Sequence, residues 1–131
     1  MTTTQKAIIG RLESIALPEL AIADLQVRVD TGAKTSSLHV DNIMKFTKNG
    51  KLMVKFNLHP DVHNVENTVS CEAPIHEQRY VIATPVQLGE SNWTIEITLT
   101  DRSDMSYLML FGREAIGDKF LVDPSKVFVS S

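Results

Sequence analysis

Apolar and polar residues alternate along several short segments of the chain, with the period of two that a half-buried strand requires. The segment "LQVRVD" at 25–30 is one of these, stopped by Thr31-Gly32. "IMKFT" (43–47) and "KLMVKFNL" (51–58) flank Asn49-Gly50, a dipeptide whose residues both tolerate positive φ, so a two-residue hairpin is predicted there. A second hairpin is predicted from "RYVIATPVQL" (79–88) and "NWTIEITLT" (92–100) around "GES". "YLMLFG" (107–112) is a short apolar run suited to a fully buried strand, and "FLVD" (120–123), closed by Pro124, reads as another strand. Only "REAIGDK" (113–119) reads as helix, and Gly117 limits it to about one turn. Short strands at this spacing predict an all-β sandwich or closed barrel rather than βαβ units. No repeat, low-complexity tract or linker interrupts the pattern, so a single domain over residues 1–131 is expected.

Composition narrows the class further. At 131 residues, with 43% apolar and 22% charged residues, the chain can bury one genuine core and has the balance of a globular protein. Thirteen Lys and Arg against sixteen Asp and Glu give a net charge of −3, which offers no reason to expect nucleic acid as a partner. A single cysteine, Cys71, excludes an internal disulfide framework and fits a reducing compartment. The opening "MTTTQKAIIGRLE" has no apolar run of signal-peptide length, and no stretch approaches a membrane span. The expectation is a cytoplasmic soluble domain with no membrane partner.

The candidate chemistry begins with Asp30, a carboxylate on the end of an apolar strand, followed at once by Thr31-Gly32. One reading is local: an Asx-type turn in which the carboxylate accepts a nearby backbone N–H. The other is that the Asp is positioned for reaction. The alternation before it points it towards the inside of a sheet structure or its neighbour. Eighty residues on, "LMLFGREAI" is another apolar strand ending in glycine and running into a short helix.

Asp30-Thr31-Gly32-Ala33 together with Leu110-Phe111-Gly112-Arg113 resembles the retropepsin-like aspartic proteases. Those enzymes carry Asp-Thr/Ser-Gly-Ala near the start, and two apolar residues, Gly and Arg, followed by a helix, near the end. The chain is most similar to a bacterial branch labelled an ATP-dependent zinc protease, often found beside ATP-grasp ligases that append glutamate to ribosomal protein. The motifs that carry this are Leu17–Leu20, Val29–His39, Arg79–Ile82, Leu99–Arg102 and Leu110–Arg113, in that order, within residues 8 to 128. The resemblance implies a closed retropepsin-like β-barrel with one short C-terminal helix.

It also implies an aspartic endopeptidase, in which Asp30, Thr31 and Gly32 would be catalytic and Ala33, Lys34 and Arg113 would contact substrate. Such enzymes hydrolyse an amide with water held between two carboxylates that share one proton, because like charges so close cannot both ionise. Thr31 would hydrogen-bond across the dyad, and Gly32 would let the backbone pass close to it. The chain has only one such triplet, so the second carboxylate is expected from another copy, in a two-fold homodimer. Where viral retropepsins have a second Asp paired with the Arg of the Gly-Arg motif, this chain has Lys34. Two cations with no anion between them suggest a basic rim that selects glutamate-rich peptide or protein substrates. The alternative is that Lys34 reaches solvent while Arg113 pairs with Glu13, Glu19 or Asp123.

The same residues leave two other readings open: a non-catalytic binding or regulatory module that kept the fold, and the zinc hydrolase of the family label. No H-E-x-x-H, paired cysteines or G-x-x-x-x-G-K motif is present, so neither metal nor cofactor is assigned. His59, His63, Cys71 and His76 are the best metal candidates, at a spacing that matches no established pattern. His39 and Cys71 read more simply as packed residues, and Asp101-Arg102 as a turn with a local ion pair. Residues 69–78 fall where retropepsins place the flap, with Glu72-Ala73-Pro74 at a position where a glycine is usual; an ordinary surface loop is the alternative.

Overall fold

The alternation along the chain becomes an alternation of burial. A computed structural model describes residues 6–58, 69–75, 80–100 and 108–129. Its elements in order are β1 (Ala7–Ile9), β2 (Leu12–Leu17), a 3-10 turn (Pro18–Leu20), β3 (Ile22–Val29), β4 (Ser36–His39), β5 (Asp41–Lys48) and β6 (Lys51–Leu58). There follow β7 (Val69–Pro74), β8 (Val81–Leu88), β9 (Ser91–Thr100), β10 (Met109–Phe111), α1 (Arg113–Ile116) and β11 (Phe120–Val122).

Six strands close a barrel in the order β10-β3-β2-β8-β9-β4. The strands turn Leu25, Val27, Ile82, Val86, Ile97, Met109 and Phe111 inward, all of them buried. Closure removes the unpaired strand edges that an open sheet of this size would present. β3 and β10 run parallel, as do β4 and β9, while β2 and β3, and β8 and β9, are antiparallel neighbours. Parallel partners cannot be joined by a tight turn, so β3 and β10 meet from opposite ends of the chain. That meeting builds the site described below.

β5, β6 and β7 form a separate three-stranded antiparallel sheet, and β1 pairs with β11 in a small parallel one. The β5–β6 turn is as predicted: Asn49 (φ 54°) and Gly50 (φ 78°) both take the left-handed conformation that matches strand twist. Among the described residues the one α-helix is a single turn, ended at Gly117 (φ 58°). Among the described residues no helix is long and apolar enough to cross a membrane.

Four strands were not predicted, β1, β2, β4 and β7. β1 is short, and β4 lies in "TSSLH", whose small polar residues read as loop. β2 was hidden by Glu13, which occupies an inward position alongside Ile15 and Leu17 and is fully buried. Its Oε2 accepts the backbone N–H of Gly10 (2.7 Å) and of Val129 (3.1 Å), so this carboxylate ties the β1–β2 bend to the C-terminal segment. For 69–78 the surface-loop alternative is corrected, and so is a flap tip at Glu72-Ala73-Pro74: these residues lie within β7, opposite Lys55, Val54 and Met53 of β6. The alternation of buried Cys71 and Ala73 with exposed Ser70, Glu72 and Pro74 is what seats this segment as a strand, and Pro74 is tolerated because β7 is that sheet's edge. The rest of that segment, 76–79, lies outside the described residues.

Candidate active site

Parallel pairing of β3 with β10 sets Val27 beside Met109, Arg28 beside Leu110 and Val29 beside Phe111. Both strands end together, so Asp30 and Gly112 leave the barrel side by side, and the Asp30 N–H donates to the Phe111 carbonyl (2.9 Å). Asp30 is half-buried at this rim, with Thr31 and Gly32 exposed. The Gly32 N–H donates to Asp30 Oδ1 (2.9 Å) and the Ala33 N–H to the Asp30 carbonyl (3.3 Å). The Asx turn that one reading of the sequence suggested is therefore present, and it fixes the carboxylate on a tight loop.

The chain then folds back over Gly112. The Arg113 N–H donates to the Ala33 carbonyl (2.7 Å) and the Glu114 N–H to the Lys34 carbonyl (3.0 Å), so the loop supplies acceptors for the first amides of α1. The Gly112 N–H donates to Ser36 Oγ (3.0 Å), a buried bond that joins β4 to the same point. A side chain at 112 would put its Cβ 2.5 Å from the Thr35 carbonyl oxygen and 2.6 Å from its carbon. Glycine is required here by close backbone approach, since its φ of −89° suits any residue. On the far side, Trp93 packs edge-on to Phe111 and against Phe120, and its Nε1 donates to the Ala115 carbonyl (3.0 Å), anchoring α1. Ser36 and Trp93 were not singled out for this role from the sequence; both contacts depend on strand neighbours far away along the chain.

The expected substrate-contacting residues surround this rim. Ala33 is half-buried, and Lys34 and Arg113 are exposed. The expectation of two cations with no anion is corrected: Lys34 Nζ lies 3.8 Å from Glu114 Oε1, with the two side chains 72% and 55% exposed. Among the described residues Arg113 makes no ion pair. Of its suggested partners, Glu13 spends Oε2 on two backbone amides, and Asp123 holds Ser125 through its hydroxyl (2.6 Å) and N–H (3.0 Å). Those bonds to Ser125, hydroxyl first, lower the Asp123 carboxyl below the usual range.

Of the candidate metal ligands, His59, His63 and His76 lie outside the described residues, as do Asp101 and Arg102. Cys71 is buried, with its Sγ 3.7 Å from the Leu20 carbonyl, and burial pushes its thiol up to about 11. Among the described residues no group of three His, Cys, Asp or Glu side chains could hold a metal ion. His39 is buried on β4, its Nδ1 3.3 Å from Thr100 Oγ1.

A barrel that presents Asp-Thr-Gly on one strand end, braced by Phe-Gly-Arg on its parallel neighbour, matches the model of one family, the retropepsin-like aspartic endopeptidase RimB, over residues 8–131. The chain belongs to the RimB-like family. It is also similar to two proteins named "Probable alpha-L-glutamate ligase". The one from Shewanella pealeana is 43% identical over 135 residues, and the one from Desulfotalea psychrophila 40% over 132. The matches take in 94% and 92% of this chain but only 30% and 28% of those proteins, so the chain spans less than a third of their length. Among solved structures, a protein of unknown function from Legionella pneumophila is similar at a TM-score of 0.85 and 31% identity, covering 97% of this chain and 100% of that one. The residues matched by the RimB-like model include both the barrel strands and the Asp-Thr-Gly loop described above.

Proposed function

We propose that this chain is an aspartic endopeptidase whose dyad is completed by a second copy, and that it acts on glutamate-rich peptide segments. The observation that carries the reading is the Asp30 loop, held at a barrel rim by the Phe111 carbonyl, the Gly32 amide and the α1 amides. Such bracing fixes a carboxylate that has no counter-ion among the described residues, which is what a proton-sharing pair needs. In this mechanism the ionised Asp30 takes a proton from the attacking water. The protonated carboxyl of the partner copy gives its proton to the carbonyl oxygen of the scissile amide. Collapse of the resulting diol breaks the C–N bond as a proton passes to the nitrogen. The apparent pKa values of such a dyad belong to the pair.

Three things support a glutamate-rich substrate. Relatives that contain a similar stretch are named as glutamate ligases, so a hydrolase joined to them would meet a newly added acidic tail. Arg113 is exposed beside Asp30 with no ion pair among the described residues, and its guanidinium matches a carboxylate in two-pronged fashion. Lys34 adds a second cation, shared with Glu114 across an exposed and weak pair.

The test is mass-spectrometric detection of cleavage, comparing glutamate-tailed with neutral peptides, for the wild type and Asp30→Asn. Asparagine keeps an oxygen for the Gly32 amide, so the variant is expected to fold and to lose turnover. Full activity in a folded Asp30→Asn protein would exclude the aspartic mechanism. The link to ligases also favours one other reading, a regulatory module that binds the acidic tail without cutting it; tight binding with no cleavage in the wild type would select it.

A further inference from the structure

The β5–β6 hairpin carries a charge pattern that neither the fold nor the Asp30 site explains. Residues 41–58 hold four lysines and one acid, Asp41, in a chain whose net charge is −3. Strand register places Lys48 opposite Lys51, Phe46 opposite Met53 and Met44 opposite Lys55, which sets these six on one face. The other face carries Val54 and Phe56, both fully buried in the core. Lys45 is used on that side, its Nζ 4.6 Å from the centre of the Tyr80 ring.

On the outer face Lys48, Lys51 and Lys55 are exposed, Met44 is 64% exposed, and Phe46 and Met53 are half-buried. Among the described residues none of the three lysines makes an ion pair. Glu72, opposite Lys55, and half-buried Asp41, at the base of the hairpin, are the acids of this face among those residues. Like charges directly across a strand pair destabilise it, and Lys48 and Lys51 stand so beside the turn. An anion lying over both ammonium groups turns that repulsion into attraction.

We propose that this face is a docking site for the acidic, glutamate-rich part of the substrate, separate from the Asp30 rim; it rests on the substrate class proposed above. Charge complementarity and spacing select that occupant. Lys51 and Lys55 are four residues apart on one strand, about 13 Å at the rise of a β-strand, and a self-repelling glutamate chain is itself extended, so carboxylates at the same interval meet both. The methylenes of the glutamate side chains lie on the apolar strip of Met44, Phe46 and Met53. A nucleic acid is the poorer fit: the patch has three lysines and no arginine, on a chain that is acidic as a whole.

The experiment measures binding of fluorescently labelled oligo-glutamate by anisotropy. It uses the full chain carrying Asp30→Asn, so that cleavage does not interfere, with and without the pair Lys48→Glu and Lys51→Glu. The double exchange keeps a like-charge pair at the turn, so thermal stability should be unchanged. The dissociation constant is expected to rise by about tenfold or more at low salt, with a shallower salt dependence; Lys48→Arg with Lys51→Arg retains binding. An unchanged dissociation constant in the Glu pair overturns the proposal, as does single-stranded RNA binding these lysines more tightly than oligo-glutamate. If the wild type binds oligo-glutamate through this face but cleaves no glutamate-tailed peptide, the docking site stands and the peptidase reading falls.

Discussion

Replacing Gly112 with alanine tests whether the Asp30 loop is held by backbone contact rather than by side chains. The added Cβ would lie 2.5 Å from the Thr35 oxygen, 2.6 Å from the Thr35 carbon and 3.1 Å from the Ala33 oxygen, all backbone atoms that no rotamer change can move. Relief requires the 33–35 segment to retreat. That stretches the bonds from the Arg113 N–H to the Ala33 carbonyl (2.7 Å) and from the Gly112 N–H to Ser36 Oγ (3.0 Å). Overpacking costs about 1–3 kcal/mol and each weakened hydrogen bond about 0.5–1.5 kcal/mol, so a loss of roughly 2–5 kcal/mol is expected. For a chain of this size that is a fall in Tm of roughly 7–18 °C. Urea and thermal denaturation followed by circular dichroism measure it. Gly50→Ala is the internal contrast, since nothing lies within 4 Å of its Cβ and only its φ of +78° is unfavourable; it should lose about 1 kcal/mol. Ser36→Ala removes one of the same contacts, so in a double-mutant cycle its cost and that of Gly112→Ala should fall short of adding. A Gly112→Ala protein within about 0.5 kcal/mol of the wild type would refute the close-approach argument.

Two further outcomes follow from buried groups. Glu13→Ala leaves the Gly10 and Val129 amides without their carboxylate acceptor, at a cost of about 2–4 kcal/mol, with faster hydrogen exchange at both amides, whereas Glu13→Gln keeps an oxygen and should cost less; unchanged exchange at Val129 in the alanine variant would break the link. Burial raises the Cys71 thiol from 9.0 to about 11, so the folded chain keeps its proton while the unfolded chain ionises. The stabilisation is whole below pH 9 and is lost as pH rises towards 11, by about 2–3 kcal/mol in all, and a Cys71→Ala chain should lack that part of the pH profile in denaturant melts.

What the sequence revealed was local. Asn49-Gly50 specified its turn because both residues carry the φ preference themselves, and Gly117 ended α1 for the same kind of reason. The strands of β6, β8 and β9 were legible because their buried and exposed positions alternate cleanly. β2 escaped because its inward face includes a carboxylate whose partners, Gly10 and Val129, cannot be read from the segment "LESIAL". The strand through Glu72-Ala73-Pro74 was missed because Glu-Ala-Pro reads as turn chemistry, while the pairing with β6 that overrides it is a tertiary fact.

The site divides along the same line. Asp30-Thr31-Gly32 and Phe111-Gly112-Arg113 were recognisable as motifs, but their distance of eighty residues concealed the register in which they meet. That register decides the electrostatics. The first two amides of α1 bind successive carbonyls of the loop, Arg113 to Ala33 and Glu114 to Lys34. Residue 114, and not 113, is thereby set against Lys34, and the cation expected to repel Lys34 is displaced by an anion that attracts it. One residue of offset exchanges a like-charge contact for an ion pair. Because both ends of the pair are exposed, it is worth about 0–1 kcal/mol, little enough for an incoming carboxylate to take over Lys34 from Glu114. Arg113, whose backbone N–H takes the Ala33 carbonyl, has no such competitor for its side chain among the described residues. For the acidic substrate proposed above, the two cations at this rim would be unequal: Arg113 would be open to it from the start, and Lys34 would become available only by exchange.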